Sequence, residues 1–109
     1  MSAGPGAYNG RPMARSLVER RLTEVSDRLK RLRADLTLAD EQLLHLADDA
    51  DDARLRSLVS ETPLADRDHR DARRHAEAMQ KHRASVLEEI AELETTQDEL
   101  LDRLTAGPI

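Results

Sequence analysis

Apolar and polar positions recur along most of this chain with the alternating 4,3 spacing of a heptad. Val18, Leu22, Val25, Leu29, Leu32, Leu36, Ala39, Leu43, Leu46, Ala50, Ala53 and Ser57 form one unbroken series. Ala65, His69, Ala72, Ala76, Met79, Arg83, Val86, Ile90, Leu93, Gln97, Leu100 and Leu104 form a second. On an α-helix such positions fall on one narrow stripe, so each series predicts a long helix whose seam packs on another. Between them stands Thr62-Pro63, where a hydroxyl can cap a helix and a proline can occupy its first position.

The two seams match when the chain folds back on itself. Positions 18 and 104, 25 and 97, 36 and 86, 46 and 76, and 57 and 65 all add to 122, with the centre at Glu61. The expected fold is therefore all-α, two long helices forming an antiparallel coiled-coil hairpin with its turn near Glu61-Pro63. The first helix is placed at 13–61 and the second at 63–105, a rod about 65 Å long at about 1.5 Å of rise per residue. Residues 1–12, rich in Gly and Pro, read as a disordered tail carrying Tyr8. Ala106-Gly107-Pro108 opens a C-terminal cap and tail at 106–109, because Gly ends helices and Pro cannot continue them. If Pro63 did not turn the chain, two copies in a swapped antiparallel dimer would make the same contacts. The Thr-Pro punctuation favours the hairpin.

Charge supports the same pairing. Residues 1–33 carry eight basic and three acidic side chains, whereas 84–109 carry one and seven. Residues 34–53 hold seven acidic groups and no Lys or Arg, whereas 54–83 hold eight basic and five acidic. An antiparallel hairpin sets opposite signs beside each other, and a parallel dimer would stack each block on its own copy. Near the turn this suggests Arg54 with Asp66 and Arg56 with Asp68. It also sets the run Asp48, Asp49, Asp51, Asp52 as a solvated face opposing Arg70, Arg73 and Arg74, and brings His75 towards Asp49.

The seam is uneven. From Val18–Leu104 to Leu36–Val86 it is apolar except for Gln97, while the distal layers contain only Leu43, Leu46 and Met79 as large apolar residues. The distal half instead places Leu38, Leu44, Leu55, Leu58, Val59 and Leu64 off the seam. A local register shift would bring Leu44, Ala47, Leu55 and Leu58 inward, at the cost of burying Asp51. Alternatively these residues form a docking surface for a partner protein or a second hairpin. Scattered exposed leucines also occur without a role. His69 and Arg83, on the seam opposite Ala53 and Ala39, have room to extend outward and fix the register.

Composition narrows the chemistry. The chain of 109 residues has one aromatic side chain, no Cys and a net charge of −5. Without Cys there is no disulfide framework or thiolate nucleophile, and the expectation is a soluble, cytoplasmic protein with no signal peptide or membrane span. No cofactor or metal site is expected. The acidic run radiates around a helix and lacks the Gly of a calcium loop, and His45, His69, His75 and His82 lack the i, i+4 spacing that aims two imidazoles at one ion. Ser57, Ser60 and Thr62 have no positioned base, so catalysis has no support and the chain is not expected to be an enzyme. The cluster Arg67, Arg70, Arg73, Arg74 lacks aromatic companions for base stacking, which argues against direct nucleic-acid binding.

The leading expectation is a non-catalytic protein–protein interaction module that docks a partner through its distal half, with Leu55, Leu58, Val59, Leu64, Glu61 and Asp66 as contact residues. A second is a self-assembling structural bundle joined through Leu38, Leu44, Leu87 and Leu101. In shape the rod resembles the helical fingers that bacterial transcript-cleavage and stringent-response factors insert into RNA polymerase. That resemblance implies a third reading, a regulator of a nucleic-acid machine such as the polymerase or ribosome, with Glu61, Asp66 and Asp68 at an acidic tip.

Overall fold

The computed structural model describes the backbone of residues 3–106 and the side chains of residues 15–106. It contains two helices, α1 (Ala3–Ser60) and α2 (Pro63–Ala106), joined by Glu61 and Thr62, and no strand among the described residues. The fold is the expected antiparallel helical hairpin. Its helix ends at the turn and at the C-terminus fall within one residue of those expected. The start of α1 differs: the backbone is helical from Ala3 rather than from Met13. Pro5 falls in the first turn, where the backbone N–H it lacks would have no acceptor in the helix. The side chains of the expected tail 1–12, Tyr8 included, lie outside the described residues, as does the end of the expected C-terminal tail.

The turn is built by two capping devices. Glu61 adopts a left-handed backbone (φ 49°), and its N–H donates to the Ser57 carbonyl at 3.1 Å, which closes α1. This is the handedness change that commonly ends a helix, made here by a residue with a Cβ instead of by glycine. Thr62 then caps α2: its Oγ1 accepts from the Ala65 N–H at 3.2 Å and its carbonyl from the Asp66 N–H at 3.1 Å. Pro63 opens the helix, where its fixed φ suits the first position. Asp66 in the first turn of α2 and Arg103 in its last turn complement the helix dipole.

Contacts divide the chain into two compact units, one formed by 1–32 with 89–109 and the other by 33–88. In the first, Val25, Leu29, Leu32, Ile90 and Leu100 are buried, with Leu29 at 0% and Val25 at 1% exposure. Gln97, the one polar residue in this stretch of seam, donates through Nε2 to the Ser26 hydroxyl at 3.1 Å and so keeps its amide paired. Arg28 reaches Glu89 at 2.8 Å across the helices.

In the second unit the buried residues are Ala39, Ala53 and Val86. Long side chains, Arg83 and His69, stand at the seam positions facing Ala39 and Ala53, where a small partner leaves them room to extend outward. Arg83 extends to Asp40, the residue after its facing alanine, at 2.5 Å. Gln97 makes the same move in the first unit, bonding to the residue after its facing Val25. His82 meets Asp35 at 3.3 Å, an arrangement equivalent to Arg28 with Glu89. Within each unit these flanking partners add to 117 and the polar seam partners to 123, which fixes the same register twice.

Candidate docking surface

Every seam position named from the sequence is buried or half-buried, and every off-seam leucine and valine of the distal unit is exposed. Leu44 is 70% exposed, Leu55 61%, Leu58 63%, Val59 85% and Leu64 67%. Leu38 and Leu87 are exposed too, as are Leu17 and Leu101 in the other unit. The register-shift alternative is thereby excluded: Leu44, Ala47, Leu55 and Leu58 stay outside, and so does Asp51. Burying Asp51 would have desolvated a carboxylate without a partner, whereas Ala50 and Ala53 enter the seam at no such cost.

At 3.6 residues per turn, Glu41, Leu44, Asp48, Asp51, Asp52, Leu55, Leu58 and Val59 lie on the side of α1 opposite its seam. The helix therefore carries an outer face on which Asp48, Asp51 and Asp52 lie between Leu44 on one side and Leu55, Leu58 and Val59 on the other, with Glu41 beyond Leu44. On α2 the corresponding outer side carries Leu64, Arg67, Arg70, Asp71, Arg74, Glu77, Ala78 and Lys81, basic in balance with two carboxylates among them. A shallow depression of about 260 Å³ lies there, lined by Arg70, Arg73, Arg74 and Glu77.

Several expected cross-helix contacts are not made. Arg54 does not pair with Asp66, nor Arg56 with Asp68, nor His75 with Asp49, and the acidic run does not meet Arg70, Arg73 or Arg74. Arg73 instead pairs with Glu77 at 3.5 Å and Arg74 with Asp71 at 2.9 Å, both along their own helix. The cause is geometric. The flanking pairs that form add to 117, whereas 56 with 68 and 49 with 75 add to 124, one heptad step off. Asp48, Asp51 and Asp52 point away from α2 altogether. Opposite charges share a level along the two helices, but azimuth around each helix decides the contact.

Of the remaining contact candidates, Glu61 and Asp66 are exposed beside the turn, as is Asp68. Glu61 closes α1 through its backbone, leaving its carboxylate in solvent, and Asp66 lies in the first turn of α2. Among the described residues no three His, Asp or Glu side chains converge as a metal site, and no helix is long and apolar enough to cross a membrane. No protein-family model, no curated protein and no solved structure matches this chain.

Proposed function

We propose that this protein is a non-catalytic interaction module that docks a protein partner through the distal unit of its hairpin. One observation carries the reading: Leu44, Leu55, Leu58, Val59 and Leu64 are exposed although the seam beneath them is satisfied without them. A hairpin whose packing is complete gains nothing in its own stability from large apolar side chains on the outer faces, while a partner that covers them gains about 1.5–3 kcal/mol for each one fully buried. Leu55, Leu58, Val59 and Leu64 bracket the turn, and Glu61 and Asp66 supply a polar rim between them. Such a surface suits an amphipathic helix or a groove with an apolar floor.

A photo-crosslinking amino acid placed at Leu58, against one placed at the solvent-facing Arg20, tests this in cells. The expected result is a protein adduct specific to position 58 that is lost when Leu55 and Leu64 are changed to Ser, with helicity by circular dichroism unchanged. Equal crosslinking from both positions, or loss of the distal helices in the Ser variant, would overturn the docking reading.

A further inference from the structure

We infer that the partner of this surface is a second copy of the same chain, the outer face of α1 in one hairpin lying against the outer face of α2 in the next. The inference rests on the docking reading above and adds the occupant. Its basis is a complementarity between two faces that cannot meet within one hairpin, because they point in opposite directions.

Set side by side with their turns at the same end, two hairpins bring α1 of one antiparallel to α2 of the other. At the level that the intramolecular seam already defines, residues adding to 122 come abreast. Glu41 then faces Lys81, Asp48 faces Arg74 and Asp52 faces Arg70. Leu44 faces Ala78 and Leu58 faces Leu64, while Leu55 lies beside the aliphatic stem of Arg67. Three opposite-charge pairs and three apolar contacts fall in one register, against one like-charge pair, Asp51 with Asp71, whose second carboxylate is held by Arg74 of its own helix.

The groups involved are available. Glu41, Asp48, Asp51, Asp52, Arg67, Arg70 and Lys81 are exposed and make no ion pair among the described residues. Arg74 holds only Asp71, a half-exposed neighbour on its own helix, and such surface pairs exchange readily. The depression bordered by Arg70, Arg73, Arg74 and Glu77, three cations to one carboxylate, lies where the second copy's Asp48 and Asp52 arrive.

The contact is heterologous: one copy gives its α1 face and the other its α2 face, and each retains one face free. Association therefore continues past a dimer, into an open row or a closed ring. Each junction is modest. From Glu41 to Leu58 the stripe spans about 26 Å at about 1.5 Å per residue, shorter than the faces of standard stable interfaces. Association should be concentration-dependent, and salt should weaken it because its charges are exposed.

Light-scattering mass of the full chain, measured over a wide concentration range at low salt, reads this directly. The expected mass is 12.3 kDa when dilute, rising beyond a dimer on concentration and falling back on adding salt. Two charge-reversal variants locate the faces: Asp48→Lys with Asp52→Lys, and Arg70→Glu with Arg74→Glu. Each alone should stay at 12.3 kDa, because like charges then oppose, and an equimolar mixture should assemble again because each variant complements the other. The mixture also shows that neither variant has merely unfolded. A wild-type mass fixed at 12.3 kDa throughout would overturn the inference, as would variants that associate like the wild type or a mixture that remains monomeric. A fixed mass together with position-58 adducts to other proteins would leave the docking reading standing and remove only the second copy as its occupant.

Discussion

Glu61 is the residue whose backbone does what its side chain opposes, and replacing it by glycine should stabilise the hairpin. Its φ of 49° lies in the left-handed region, where the Cβ of an L-residue approaches the following carbonyl oxygen. That conformation costs about 1–2 kcal/mol for a non-glycine residue. Glycine removes the penalty but has more freedom to lose on folding, which returns about 0.5–1 kcal/mol. The net gain from Glu61→Gly is therefore about 0.5–1 kcal/mol. The hydrogen bond from the N–H of residue 61 to the Ser57 carbonyl is a backbone contact and survives the change. For a domain of this size 1 kcal/mol moves Tm by about 4–8 °C, so the expected rise is about 2–8 °C. Thermal unfolding followed by circular dichroism, at one protein concentration and in salt high enough to suppress association, measures it. Glu61→Ala is the control: alanine keeps the Cβ and the left-handed penalty, and its Tm should stay near that of the wild type. If Gly lowers Tm, or if Ala raises it as much as Gly does, the strain assigned to this turn is not what limits it.

Two further substitutions probe the packing and the second cap. Leu29→Ala opens a cavity at a position with no exposed surface and should cost about 3–5 kcal/mol in chemical denaturation, enough to unfold much of the population if the hairpin is marginally stable. Thr62→Ala removes the acceptor of the Ala65 N–H and should cost about 1 kcal/mol in the same assay, with Thr62→Ser recovering most of it.

The hairpin was legible in the sequence because its information is periodic. A 4,3 spacing names the seam, the antiparallel sum names the partner, and a Thr-Pro pair names the turn. All of these follow from 3.6 residues per turn and from the missing N–H of proline, which hold without reference to the rest of the molecule. The polar seam residues were legible for the same reason: Arg83 and Gln97 stand opposite Ala39 and Val25, and each extends to the next residue along.

The exposed apolar face of the distal unit was half legible. Its apolar members were visible as leucines off the seam, but only the packed seam showed that the hairpin leaves them outside. Paired charges were not legible. The sequence placed the acidic run level with Arg70, Arg73 and Arg74, and that level is correct. Which way a side chain points around its helix axis is decided by where the seam faces, and the seam turns the run outward. The left-handed turn at Glu61 was also hidden, since no glycine marks it and the conformation is imposed by closing α1 and opening α2 within two residues. The sequence thus determined the helices and their register, because those depend on spacing alone. The tertiary structure decided which charges and leucines remain exposed, because that depends on azimuth, and azimuth exists only once two helices have packed.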